Sequence, residues 1–170
     1  MDFAPPRPGD IVHCSFPKGK LPEPGPKQRP ALVLEVEKFP NGTCDVIVAY
    51  GTSQGTGVRY PGEFTVSADE PGAGLSRDTK FDLRQAARLP FNEKWFAVAP
   101  NQPFGRHPKR GKLDFTKLLL KRKLQAAVAE AKRAGAFDFL DVAGKRADAR
   151  DPGRDGITPS AKRTVPGPNK

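Results

Sequence analysis

The sequence predicts a mainly β protein in which a small, strongly bent barrel is followed by one helix. Five or six short apolar stretches, separated by turns rich in glycine and proline, are typical of the strands of such a barrel. A later stretch, residues 113–134, contains neither glycine nor proline, and its apolar residues recur at helical spacing. After Asp141 the chain has no aromatic residue and no leucine, which predicts a disordered tail.

The first part of the chain predicts three strands. Residues 9–16 (GDIVHCSF) alternate between apolar and polar side chains, as a half-buried strand does. Residues 17–30 contain five prolines and two glycines, so we expect a long loop there without regular strand pairing. An apolar strand over residues 31–39 then turns at Asn41-Gly42, a pair typical of tight hairpins, and returns over residues 44–54.

The second part of the chain predicts further strands and the helix. We expect strands over residues 62–67 (GEFTVS), 79–89 (TKFDLRQAARL) and 93–99 (EKWFAVA). The helix that follows has Asp114 as its predicted N-cap and Gly135 as its predicted C-terminal stop.

The positive charge of the chain is concentrated in its last part. Residues 1–100 carry 12 lysines and arginines against 12 acidic residues, whereas residues 101–170 carry 17 against 7, which accounts for the whole net charge of +10. Such asymmetry favours a polyanionic partner, nucleic acid first, over a merely solvated tail. We divide the chain into a barrel domain (1–105), a basic segment with the helix (106–140) and a disordered tail (141–170).

Metal, disulfide and membrane signals are weak. Cys14 and Cys44 are the only cysteines, and neither belongs to a zinc-binding pattern, so we expect buried core thiols and no metal or cofactor. The N-terminus lacks the apolar core of a signal peptide, and no stretch approaches the roughly 20 apolar residues of a membrane span. These features predict a cytoplasmic protein without membrane contact.

Four short motifs occur in a characteristic order. They are Gly9-Asp10-Ile11-Val12 with Phe16-Pro17, then Arg29-Pro30-Ala31-Leu32-Val33-Leu34, then Gly51-Thr52-Ser53-Gln54, and finally residues 74–85 (GLSRDTKFDLRQ). In this order they resemble the PemK/MazF family of toxins from type II toxin–antitoxin systems, over roughly residues 7–90. Two positions differ from the family pattern: the first long loop lacks the frequent Gly-His-Glu, and Arg84 stands where an acidic residue commonly precedes the glutamine.

The resemblance implies an SH3-like barrel, usually a homodimer, that cleaves single-stranded RNA without a metal and leaves a cyclic 2′,3′-phosphate and a 5′-hydroxyl. It implies Arg29 and Thr52 as catalytic residues and an antitoxin whose acidic segment enters the RNA groove. We expect further RNA contacts from Lys27, Ser53, Gln54, Gln85, Lys109 and Arg110.

The residues themselves leave alternatives open. A guanidinium such as that of Arg29 can meet two phosphoryl oxygens and stays charged, but it could equally pair with Glu35 or Glu37 at the surface. Thr52 could bond a phosphate or only nearby backbone. Glu23 and His13 are the nearest candidates in sequence for a general base.

Three functions compete on this basis. The first is a metal-independent endoribonuclease toxin. The second is a non-catalytic barrel that binds nucleic acid through its basic C-terminal arm, and the third is a module that binds acidic peptides, because fold alone does not decide function.

Overall fold

The computed structural model describes residues 3–19, 22–135 and 140–143. Seven strands and one helix lie within these residues. They are β1 (Asp10–Pro17), β2 (Pro24–Lys38), β3 (Cys44–Thr52), β4 (Glu63–Val66), β5 (Thr79–Pro90), β6 (Lys109–Lys112), α1 (Leu118–Arg133) and β7 (Leu140–Asp141). The mainly β fold with one helix after the barrel strands is therefore confirmed.

The strands form one curved sheet in the order β4-β5-β3-β2-β1-β6, in which all neighbours are antiparallel. The two ends of this sheet meet. Lys112 in β6 donates its backbone N–H to the carbonyl oxygen of Gly72, in the loop after β4, at 2.8 Å. A Cβ at Gly111 would collide with the backbone of Ala73, so only glycine permits this approach. The sheet thus closes into the small barrel that the sequence predicts.

The interior of the barrel is apolar, and α1 covers one end of it. The helix contributes three buried residues to this core, namely Leu120, Ala127 and Ala131. The other buried members are Ile11, Leu32, Ala49, Phe64, Val66, Ala73, Leu75, Phe81, Leu83 and Leu113. Because α1 buries a stripe of its surface here, it is an integral part of the barrel domain.

The outer face of the sheet is apolar over only part of its length. The segment that follows β5 lies over this part, where Ser15 donates its N–H to the carbonyl of Trp95 at 2.8 Å and Cys14 forms a single bridge with Phe96. The buried residues of this second core are Val12, Cys14, Ala31, Val33, Cys44, Val46, Val48, Ala87, Leu89, Phe91, Trp95 and Phe96. We call this region the covered half of the outer face.

The same face continues beyond that segment. Successive residues of a strand alternate between faces, so Tyr50 and Thr52 share the outer face with the buried Val48. By the same rule Arg29 shares it with the buried Ala31. We call this continuation, built around these three polar residues, the open half of the outer face.

The expectation of a loop over residues 17–30 is wrong for its second part, because β2 begins at Pro24 rather than Ala31. The prolines are tolerated because this part of β2 pairs with β1 only, while pairing with β3 starts at Ala31. Pro30 stands opposite His13, whose backbone N–H and C=O bond to Pro108 and Ala97 on the other edge of β1. The missing N–H of Pro30 therefore costs no bond between β1 and β2.

Two further expectations are wrong. Residues 93–99 do not form a strand; Asn92 accepts hydrogen bonds from the N–H groups of Lys94 and Phe96, which closes a turn that competes with strand pairing. Asp114 is not the N-cap, since the helix starts at Leu118 and Asp114 instead accepts from Thr116 in the preceding turn. Gly135 is confirmed as the helix stop, with a φ of 67°.

The predicted segment boundaries fall inside the fold. β6 lies within the basic segment and is the edge strand of the barrel, next to β1. Residues 141–143, placed in the tail by the sequence, belong to the sheet region: β7 runs parallel to β5 and Ala143 is buried. The rest of the predicted tail, 144–170, lies outside the described residues. Within the described part of the chain, no helix is long and apolar enough to cross a membrane.

Candidate active site

The register between β2 and β3 brings Arg29 and Thr52 together. The ladder pairs Leu32 with Ala49 and ends at the pair of Ala31 with Tyr50; the same register, extended by two residues, places Arg29 level with Thr52. Residues directly opposite in an antiparallel pair are close neighbours on one face. The strands β2 and β3 can approach each other closely here because Gly51 has no side chain. A Cβ at this position would collide with the carbonyl oxygen of Pro30.

Arg29 is half-buried, and its charge has no counter-ion among the described residues. Its guanidinium carbon lies 5.8 Å from the centre of the Tyr50 ring, a cation–π arrangement. Tyr50 is itself held by an edge-on contact with Phe16, whose ring centre is 5.4 Å away. Glu37, one of the two carboxylates proposed as an alternative partner for Arg29, instead pairs with Arg88. The guanidinium therefore packs against a ring and has no ion-pair partner among the described residues.

Thr52 ends β3 and begins the turn that carries two other predicted site residues. Its Oγ1 accepts a hydrogen bond from the backbone N–H of Gln54 at 3.1 Å. A hydroxyl that accepts in this way can still donate its own hydrogen to another group. Ser53 and Gln54 are exposed in this turn, and Lys27 is exposed two residues before Arg29.

A buried lysine lies directly across from Thr52. Lys80 in β5 is only 7 % exposed, and its Nζ is 3.0 Å from Oε2 of the buried Glu63. The same Nζ donates to the carbonyl oxygens of Gly55 and Val58, each at 3.1 Å. A buried cation needs such partners, and here they tie down the loop that follows the turn of Thr52.

A bulge in β5 builds the rest of the open half. The register slips between the Tyr50–Asp82 pair and the Ala49–Ala86 pair, which leaves Leu83, Arg84 and Gln85 as extra residues on β5. Asp82, 4 % exposed, accepts from Arg84 and from Nε2 of Gln85. The hydrogen bond to Asp82, more than any other contact, raises the pKa of Arg84. Gln85 itself is exposed.

A family model matches the part of the chain that contains these residues. Residues 7–102 match the model of the PemK-like, MazF-like toxin of type II toxin–antitoxin systems. The chain belongs to this family. The match includes Arg29, Thr52 and the whole of the open half, and it ends just before the basic segment. A search of curated proteins finds no match.

The structure places a carboxylate, that of Asp82, beside Gln85, although the residue directly before this glutamine is not acidic as it commonly is in the family. The sequence has Arg84 in place of the common acidic residue, yet Asp82 reaches Gln85 across the bulge at 3.0 Å. The sequence did not single out Asp82, Lys80 or Glu63 as site residues. The alternation in TKFD, where two charged residues flank a core phenylalanine, is the one signal that could have indicated a polar outer face there.

Lys109 and Arg110 are not brought to Arg29. The strand β1 lies between β6 and β2, so the axes of β6 and β2 are about 10 Å apart. The Nζ of Lys109 pairs with Oδ1 of Asp10 at 3.2 Å. Arg110 is the extra residue of a bulge in β6, between the pairs Ile11–Gly111 and Val12–Lys109. Its Nε donates to the carbonyl of Gly74 at 3.4 Å, and burial lowers its pKa. These two predicted contacts are therefore engaged by other groups, Asp10 and Gly74, and β1 separates them from Arg29.

Neither candidate for the general base lies beside Arg29. His13 alternates with Cys14 and so is on the inner side of β1, where burial first and the charge of Arg110 second lower its pKa. Glu23 is exposed and lies 3.8 Å from Lys94, and six residues of extended chain, about 20 Å, separate it from Arg29. Among the described residues, no cluster of three or more histidine, cysteine or acidic side chains could hold a metal ion.

Proposed function

We propose that the chain is an endoribonuclease toxin that cleaves single-stranded RNA at the open half of its outer face and needs no metal. The observation that carries the proposal is that Arg29, a cation without a counter-ion among the described residues, lies on the same face as the Thr52 hydroxyl, on the neighbouring strand and at the same level. Membership of the toxin family supports it independently.

In this reaction the 2′-hydroxyl attacks the adjacent phosphorus and the bond to the 5′-oxygen breaks. The 2′-oxygen loses its proton, the leaving oxygen gains one, and the products are a cyclic 2′,3′-phosphate and a 5′-hydroxyl. Negative charge gathers on the phosphoryl oxygens in the transition state. Arg29 stabilises this charge through two parallel N–H donors, and Thr52 donates its hydroxyl hydrogen to the same phosphate.

The surroundings of both groups favour a fixed geometry. Tyr50 supports the guanidinium of Arg29 from one side. Lys80 and Glu63 anchor the loop next to Thr52 from the other. Donors that are already oriented need no reorganisation during the reaction, which is why such sites accelerate charge-developing steps.

The proposal is tested by incubating single-stranded RNAs of varied sequence with the protein in EDTA. We expect cleavage by the wild type and a loss of about 10²–10³-fold or more in rate for Arg29→Ala. Arg29→Lys should recover only part of the rate, because lysine has a charge but no bidentate fork. Arg7→Ala is the matched control: it removes one exposed arginine near the opposite end of β1 and should cleave like the wild type.

The absence of cleavage by the wild type on every RNA, or equal rates for wild type and Arg29→Ala, would count against the nuclease. RNA that is bound but never cut would favour the alternative, a non-catalytic nucleic-acid-binding barrel. The eight lysines and arginines in residues 106–123 favour that alternative, and they also serve as a secondary phosphate-binding surface in our proposal.

We further propose the partners and the setting that accompany this activity. The antitoxin places an acidic segment against Arg29 and so blocks the open half, because the guanidinium offers a full charge to a carboxylate. The toxin acts as a homodimer in the cytoplasm.

A further inference from the structure

The amide of Gln85 is oriented by a buried carboxylate. Oδ2 of Asp82 accepts from Nε2 of Gln85 at 3.0 Å and from Nη2 of Arg84 at 3.2 Å. Oδ1 of Asp82 accepts from the backbone N–H of Arg84 at 2.9 Å and from its Nε at 3.1 Å. An ionised carboxylate can only accept hydrogen bonds, so the side of Gln85 that faces Asp82 must be its –NH₂ group.

This arrangement fixes what Gln85 shows to solvent. One N–H is engaged by Asp82, so the carbonyl Oε1 and the second N–H are free. Gln85 is exposed, and it extends from the bulge that lies across from Tyr50. The open half therefore presents an acceptor of fixed position next to the residues that bind the phosphate.

We propose that Gln85 reads one base beside the cleaved phosphodiester and selects a base whose purine C6 or pyrimidine C4 carries an amino group, that is, adenine or cytosine. This inference rests on the proposed function. The 6-amino group of adenine or the 4-amino group of cytosine donates to Oε1. Guanine and uracil have the carbonyl oxygens O6 and O4 at the equivalent positions, where they would oppose acceptor to acceptor. Asp82 is the positioning residue, because it holds the amide in this orientation without contacting the base.

Asp82→Asn should turn the amide over. Asparagine can keep its oxygen at the Oδ1 position, where Arg84 donates twice, and it then places an –NH₂ group where Oδ2 stands. That group would face the –NH₂ of Gln85 and Nη2 of Arg84, donor against donor. Rotation of the Gln85 amide relieves the first conflict, and Arg84 keeps its two hydrogen bonds to the oxygen. The outward edge then shows a donor in place of Oε1, which matches the carbonyl of guanine or uracil.

The experiment selects bound sequences from a random pool of single-stranded 2′-O-methyl RNA, which cannot be cleaved because the attacking hydroxyl is blocked. We expect the wild type to enrich adenine or cytosine at one position by roughly tenfold, the size of a good bidentate base contact. Asp82→Asn should lose or reverse that preference while total binding stays within a few-fold. Asp45→Asn, a buried aspartate near Arg88 at the other end of β3, is the matched control and should keep the wild-type preference.

Gln85→Ala guards against a folding defect in Asp82→Asn, since residue 85 is exposed. It should abolish the preference at that position. An unchanged preference in Gln85→Ala, or in a folded Asp82→Asn, overturns the inference. Because selection needs no cleavage, a protein that cuts RNA without this preference refutes only the base reading, and one that selects bases without cutting refutes only the nuclease.

Discussion

The two halves of the outer face are carried by the same strands but have opposite chemistry. In the covered half, Val46 and Val48 are buried beneath Trp95 and Phe96. Only one alternation further along β3, Tyr50 and Thr52 are half-buried and polar. The covered half therefore stabilises the strands, and this leaves the open half free to hold polar groups in fixed positions. Arg29 lies directly before the buried residues of β2 because this strand crosses from the open half, where Arg29 is half-buried, into the covered half, where Ala31 and Val33 are buried.

The largest effect should come from breaking the covered half. Trp95 is 1 % exposed, so Trp95→Ala leaves a large cavity and should lower the free energy of unfolding by about 3–5 kcal/mol. Phe104→Ala is the matched control, because Phe104 is 51 % exposed and its main contact is with the Lys109 ammonium, a type worth about 1 kcal/mol at exposed sites. Urea denaturation of the three proteins measures the difference. Similar losses for both variants would show that the covered half is not the stabilising one.

The next largest effect should come from a substitution in the open half, and it should change the cleavage rate more than the free energy of unfolding. Thr52→Val keeps the shape of the side chain but removes the hydroxyl, so the cleavage rate should fall by about 10²–10³-fold. Thr52→Ser keeps a hydroxyl that can donate its hydrogen to the phosphate and can still accept from the backbone N–H of Gln54, so it should recover most of the rate. Single-turnover rates at saturating RNA measure this loss apart from binding.

Thr65→Val is the control for that experiment. Thr65 lies across from Lys80 on the side opposite to Thr52, so the same substitution is made beside the same lysine. It should cleave at close to the wild-type rate. A comparable loss in both variants would mean that the effect arises from disturbing Lys80 and not from the missing hydroxyl at residue 52.

The sequence predicts the covered half better than the open half. A nearly continuous apolar run marks β3, because it is buried on both faces, and alternation marks β1. The start of β2 is hidden because its prolines read as a loop, although the free edge of the strand tolerates them. Whether a proline loses a ladder bond depends on pairing, which local sequence does not contain.

For the site, motif order predicts Arg29 and Thr52, and the register places both on one face. Asp82 could not be predicted, because a three-residue bulge changes which residues are neighbours without changing composition. Lys109 and Arg110 show the opposite problem. They read as one basic patch in sequence, but Lys109 pairs with Asp10, whereas Arg110, at a bulge of β6, donates to the carbonyl of Gly74.

The smallest effect should come from replacing His13, on the inner side of β1. This substitution tests whether a change on the inner face leaves cleavage at the outer face unaltered. Its Nδ1 is buried without a hydrogen-bond partner in the described part of the chain, and burial, with the charge of Arg110, lowers its pKa. The unfolded chain takes up a proton at about pH 6.5, before the folded chain does. The neutral His13 therefore contributes its full amount to the free energy of unfolding above this pH. That contribution is lost as the pH falls through the lowered pKa of His13 in the folded state. His13→Gln should show a flatter pH dependence of unfolding below pH 7 than the wild type. The pH profile of cleavage should keep its shape, because His13 and Arg29 are on opposite faces. A changed acid limb in that profile would place His13 in the reaction and would end the separation of the two faces.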